Sequence, residues 1–169
     1  PSYRDFFGAE AEVTRGDAGA GEGIARIDFD EALPFPDACF DHALCVNALY
    51  IAKDPRFTLA ELRRVTRPGG QIILVTPFIF PEAREPHAYV RWTSEGLQAL
   101  LADAGLPHPR LIAFGGHFTS ALFVIEPFLR FRPVRLLSQA LAIRLDRFVP
   151  ERYGSSRPCP LGYVVIATR

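Results

Sequence analysis

The chain has 169 residues, 49% of them hydrophobic and 22% charged, an ordinary globular composition for one domain long enough to bury a sizeable core. Nineteen basic and 19 acidic side chains cancel, so no net field favours nucleic acid or an anionic membrane, and Cys39, Cys45 and Cys159 have neither CxxC nor metal-ligand spacing. No apolar run approaches the ~20 residues of a bilayer span and no signal-peptide pattern opens the sequence. The expectation is a cytoplasmic protein with reduced thiols.

In chain order, Tyr3, Phe6 and Phe7 fit one face of a short helix, and residues 12–14 fit a short strand. Gly16 to Gly23 reads GDAGAGEG, a flexible loop, because glycine tolerates positive φ and close backbone approach. Residues 24–29 fit a short strand and 32–38 a proline-bounded loop. Residues 41–47 (DHALCVN) have the short apolar run of a buried parallel strand. Over 56–67, Leu59, Leu62 and Val65 recur at helical spacing, with Glu61, Arg63 and Arg64 expected to face water. This helix stops at Pro68-Gly69-Gly70, where both glycines are expected to supply a left-handed turn. Residues 71–76 are a second buried strand, β-branched and apolar.

A long aromatic connection, 78–92, leads to a helix with Ser94 as the expected N-cap, Leu97, Leu100 and Leu101 as its buried stripe and Gly105 as its end. A third strand is expected over 110–114. Two apolar helical stretches follow, over 119–131, interrupted at Pro127, and over 134–148, which carries Arg135, Arg144 and Arg147 among its leucines. A terminal strand is expected over 163–168. Strands alternating with helices argue an α/β fold with its ligand crevice at the strand ends.

LPFPD (Leu33 to Asp37), the strand opened by Asp41 and the turn RRVTRPGG together resemble the central part of class I S-adenosylmethionine-dependent methyltransferases of the type 11 kind. The resemblance covers about 28–169. It implies a Rossmann-like three-layer sandwich, a mostly parallel sheet of order 3-2-1-4-5-7-6 with an antiparallel C-terminal strand, incomplete at the N-terminus. One domain is expected over 1–169, with a helical insertion at about 115–160. The resemblance implies S-adenosylmethionine as cofactor and methyl transfer to a small-molecule acceptor.

For the residues, the resemblance implies that Asp28 accepts from the adenine amine, its bland alternative being a turn residue that caps local backbone. Asn47 borders cofactor and substrate after the strand, or else caps a turn. Where Tyr50 and Ile51 stand, the family often has an acidic residue or histidine, so no general base is implied at that loop. EPHAYVRWTSEGLQALLADAGL is similar to a segment in a subset of these enzymes, which would make His87, Tyr89, Arg91 and Trp92 a substrate lid. The alternative makes Tyr89 and Trp92 packing residues and pairs Arg91 with a surface carboxylate. Ala88 replaces the usual acidic residue beside His87. His117 reads as a structural residue. The 119–148 segment lines a hydrophobic site, dimerises, lies on a membrane surface, or simply caps one sheet face, the last being the expected case.

The glycine-rich loop that should hold the methionine end of the cofactor is not where the family has it. As letters DAGAGEG looks like that loop, but Glu10, Glu12 and Arg15 interrupt the segment before it, and too few residues separate it from LPF. The favoured register places the loop after the second strand, with Asp17 as the acid that grips the ribose hydroxyls. Without the central first strand, the strand at 41–47 has a hydrophobic, unpaired edge. Either preceding residues are lost, another chain or a second copy supplies a strand, or the N-terminal segment covers the edge. The alternative to an enzyme is an inactive binding or assembly module.

Overall fold

The computed structural model describes residues 11–19, 21–82, 87–149 and 158–169. The N-terminal face of Tyr3, Phe6 and Phe7 lies outside them. Two short strands, β1 (Arg15–Asp17) and β2 (Ile24–Arg26), pair in parallel. The strand expected at 12–14 is displaced to β1, because Gly16 and Asp17 find ladder partners in Ala25 and Arg26. The main sheet contains β3 (Phe40–Val46), β4 (Thr66–Pro77), β5 (Arg110–Phe114) and β6 (Gly162–Thr168), in the order β3-β4-β6-β5. β3 runs parallel to β4, while β6 is antiparallel to both β4 and β5. Three of the four strands therefore share one direction, and the last inserts against them. The fold is α/β and Rossmann-like.

Helix α1 (Pro55–Val65) starts with Asp54, whose carboxylate accepts the Arg56 and Phe57 N–H groups at 3.0 and 3.2 Å, and with Pro55, whose fixed φ suits a first turn. Helix α2 (Ser94–Asp103) is capped by Thr93 rather than Ser94: the Thr93 hydroxyl accepts the Gly96 N–H at 3.1 Å, and Ser94 is already helical. The helix ends in a Schellman turn, with Leu106 N bonded to the Leu101 carbonyl and Gly105 at φ +74°. Leu59, Leu62, Leu97 and Leu101 from these helices bury against Ile72, Leu74, Val165 and Ala167 of the sheet.

The opposite sheet face carries Leu44, Val46 and Ile112, exposed by 47%, 38% and 39%. They alternate in sequence with the buried Cys45 and half-buried Ala43 and Leu111, as the pleat requires. β3 is an edge strand among the described residues. Helices α3 (His117–Ile125) and α4 (Arg132–Asp146) pack on each other beyond the end of β5.

The RPGG turn departs from its expected form. Only Gly69 is left-handed, at φ +80°, with open space where a Cβ would be. Gly70 is needed for a different reason: a Cβ there would lie inside van der Waals contact of the Asp41 carbonyl oxygen. The turn is a bulge in the β3–β4 ladder, which pairs Phe40 with Thr66 and then His42 with Gln71.

Candidate functional site

The C-terminal ends of β1, β2, β3 and β4 carry the residues singled out from the sequence. Asp17 closes β1 and Asp28 follows β2, and the Ile27 N–H donates to the Asp17 carbonyl at 2.9 Å, so the two acids flank one parallel pair. Each carboxylate accepts one local N–H at 2.9 Å, Asp17 from Gly19 and Asp28 from Asp30. Those are the Asx turns that short acids form in loops. Asn47 follows β3 directly and is exposed. Its φ of +49° lies in the left-handed region that asparagine tolerates, and its N–H donates to the Val75 carbonyl at 2.8 Å.

The loops after β2 and β3 are tied together. Asp30 accepts the Lys53 N–H at 2.9 Å and pairs with Lys53 Nζ at 3.2 Å. The backbone bond from Lys53 is the main cause that holds the Asp30 carboxyl below its ordinary range. The Thr58 hydroxyl donates to the Phe29 carbonyl at 3.1 Å. The carboxylate segment around Asp28 is thereby held beside the Ala48–Lys53 loop.

A second wall is aromatic. The Tyr89 N–H donates to the Tyr50 carbonyl at 3.0 Å, and the Arg91 guanidinium lies over the Tyr50 ring, 4.6 Å from its centroid. Arg91 also donates to the Pro81 carbonyl at 3.3 Å. Tyr50 lies 6.4 Å from Phe80, Phe80 stacks on Phe123 at 6.0 Å, and the His87 and Tyr89 rings are 5.3 Å apart. Three of the four expected lid residues thus gather around Tyr50. Trp92 turns away and packs against the hydrophobic core, with its indole Nε1 buried and without a hydrogen-bond partner. Cys45, at the same strand end, is no nucleophile: burial pushes its thiol up to about 12.

The LPFPD turn is clamped from α1. Arg64 donates to the Leu33 and Phe35 carbonyls at 3.0 and 2.9 Å, to Asp37 at 2.7 Å, and through two nitrogens to Glu61 at 2.8 Å each. Glu61 in turn accepts the Leu33 N–H at 2.8 Å. Glu61 therefore faces inward, 9% exposed, and not toward water as expected, because the turn offers it a buried donor. The i, i+3 spacing of Glu61 and Arg64 was the available signal. Nothing in the sequence pairs Arg91 with Tyr50.

Residues 10–74 match the model of a methyltransferase domain. The order β3-β4-β6-β5, with β6 antiparallel, reproduces the 4-5-7-6 half of the expected sheet. The chain carries a class I methyltransferase fold. A solved S-adenosylmethionine-dependent methyltransferase from Mesorhizobium loti aligns with a TM-score of 0.55 at 19% identity, covering 90% of this chain and 73% of that one. A chain of the complex between the Haloferax volcanii Trm112 methyltransferase activator and a methyltransferase aligns with the same TM-score at 22% identity, covering 89% and 63%. Demethylmenaquinone methyltransferase of Deinococcus radiodurans is 36% identical over 73 residues, which is 42% of this chain and 30% of that protein. Malonyl-[acyl-carrier protein] O-methyltransferase of Erwinia pyrifoliae is 48% identical over 46 residues, 27% and 18% of the two chains. The matched stretches span well under half of both relatives. Asp17 and Asp28 could hold the amine and hydroxyl groups of a nucleoside, because each carboxylate is exposed and keeps one oxygen not engaged by its local N–H. Among the described residues, no glycine-rich loop between a strand and a helix faces β3.

Proposed function

We propose that the chain moves a methyl group from S-adenosylmethionine to a small-molecule acceptor. The observation that carries this reading is the coincidence of the methyltransferase-domain match over 10–74 with an antiparallel β6 inserted between β4 and β5. When bound, the cofactor supplies a methyl group activated on a sulfonium. The chain's residues act by placement. Asp28 uses the oxygen not engaged by Asp30 N–H to accept from the exocyclic amine, Asp17 accepts from the ribose hydroxyls, and Asn47 borders both ligands. Tyr50, Phe80, Tyr89 and His87 form the wall against which the acceptor lies, and Arg91 holds a positive charge at its rim. In-line displacement depends on alignment, and holding two reactants in line is worth about 7–11 kcal/mol of barrier, so a site without a nucleophile or metal cluster suits the chemistry.

The open edge of β3, with Leu44 and Val46 exposed beside it, favours a second reading, an inactive module that pairs this edge with another chain or a second copy. Calorimetric titration with S-adenosylhomocysteine separates the two. Micromolar binding, weakened about tenfold or more by D28A and also by D28N, which keeps an acceptor for the Asp30 turn, is expected for the enzyme; tenfold corresponds to about 1.4 kcal/mol. No heat from a folded sample overturns cofactor binding by this chain.

A further inference from the structure

Helices α3 and α4 form a hairpin whose outward side has no covering layer among the described residues. Phe128 and Phe131 in the link between the helices are 81% and 67% exposed, and Leu137, Leu141 and Phe148 are 72%, 53% and 80% exposed. On α4, Leu137, Leu141 and Arg144 succeed one another at four- and three-residue spacing, so they share one stripe, and Phe148 follows in the turn just beyond the helix. The helix packs inward through Ala142, 6% exposed, which lies on the other side.

The charges of this hairpin are one-sided. Residues 117–149 contain five arginines and two acids, Glu126 and Asp146. Both acids are spent inside the hairpin. Asp146 accepts the Phe118 and Thr119 N–H groups at 2.7 and 3.1 Å and the Thr119 hydroxyl at 2.7 Å, capping α3. Glu126 accepts from Gln139 at 3.0 Å and pairs with Arg135 at 3.5 Å. Arg130, Arg132, Arg144 and Arg147 have no acidic partner among the described residues. A chain of zero net charge thus concentrates unpaired guanidinium groups around its most exposed phenylalanines and leucines.

We infer that the α3–α4 hairpin docks on an anionic lipid bilayer, with Phe128, Phe131, Leu137, Leu141 and Phe148 seated at the acyl boundary and Arg130, Arg132, Arg144 and Arg147 on the phosphates. An interfacial helix of this kind buries its apolar side a few ångströms deep, and arginine stems lie along apolar surface while their heads reach the phosphate level. A second copy fits the same surface poorly. A two-fold contact across the Leu137–Arg144 stripe brings Arg144 and Arg147 of both copies together with no acid on that stripe to meet them. Phe123 of α3 stacks on Phe80 at the candidate acceptor wall, so the docked hairpin lies next to that wall. Docking stands on the hairpin alone and does not depend on methyl transfer.

The test is co-sedimentation of the purified chain with vesicles of phosphatidylcholine alone and of phosphatidylcholine mixed with phosphatidylglycerol, at low and high salt. Sedimentation with the mixed vesicles, much less with the neutral ones and less at high salt, is expected. R144Q/R147Q weakens partition by about 30-fold, near fivefold for each charge removed at the surface. L137S/L141S abolishes it with the far-ultraviolet circular dichroism unchanged, because both leucines face solvent. No sedimentation with either vesicle, or binding insensitive to salt and to both variants, overturns the proposal. So does a concentration-dependent dimer in sedimentation velocity that L137S/L141S dissociates, which assigns the face to a second copy instead.

Discussion

Replacing Arg64 by alanine tests what holds the Leu33–Asp37 turn in place where the chain enters β3. The side chain makes five hydrogen bonds, two to Glu61, one to Asp37 and one each to the Leu33 and Phe35 carbonyls. The Asp37 contact counts for little, since that side chain is 78% exposed and solvent screens the pair. The Glu61 side chain is 12% exposed, so losing its partner leaves a nearly buried carboxylate with only the Leu33 N–H. With net values of about 1 kcal/mol for each of the two carbonyl bonds, and about 1–2 kcal/mol for the stranded Glu61, R64A costs about 3 kcal/mol. Urea unfolding followed by circular dichroism reads this as a lower midpoint at an unchanged slope. In a double-mutant cycle, R64A and E61Q are coupled by about 1–2 kcal/mol. A loss below about 1 kcal/mol, or additive effects, refutes the view that α1 clamps the turn; the expected 3 kcal/mol is a large share of a small domain's stability.

Two further outcomes follow from the same region. The Arg64 guanidinium holds the Glu61 carboxyl below its ordinary value of 4.5, so the folded chain binds fewer protons there than the unfolded one. Its stabilising effect is whole above about pH 4.5 and drains away as the pH falls through the lower folded value; E61Q flattens that slope, and an unchanged acid-unfolding profile in E61Q contradicts the reading. At the bulge, G69A costs about 1 kcal/mol, the strain of a left-handed alanine, whereas G70A must push the Asp41 carbonyl aside and costs more; thermal unfolding of the two variants gives the order.

The alternation of apolar strand and amphipathic helix from Asp41 to Thr76 was legible because it is periodic, and so were α2, β5 and β6. Side-chain direction at the helix surface was harder to read. Glu61 lies on the face that patterning leaves for water, and only a donor 28 residues upstream, the Leu33 N–H, draws it inward. Thr93 and Ser94 both offer a hydroxyl, and backbone φ and ψ, not residue type, decide which caps. In RPGG, two adjacent glycines look alike as letters, yet one answers a dihedral demand and the other a steric one set by Asp41. Asp17, Asp28 and Asn47 were recognisable as short polar residues at strand ends. The Tyr50–Arg91 contact was not, since it is made by two loops that cross only once β3 and β4 are paired.

β6 is the latest of the described strands in chain order, and it is an inner strand of the sheet. β5 finds its ladder partner only in β6, and β4 reaches β5 only through it. The Arg169 N–H and carbonyl bond to Gly70 and Gly69, fastening the far side of β6 to the bulge at 3.0 Å each. During synthesis, β3, α1, β4 and α2 can associate while β5 and the hairpin wait beside an unfilled slot. Completion of the sheet then rests on contacts between residues about 50 to 100 positions apart, as in the pairings Arg110 with Ile166 and Gln71 with Thr168. Such high contact order makes the final step slow relative to helix formation. The emergence of β6, rather than that of the first two long strands, sets the moment at which this sheet becomes continuous.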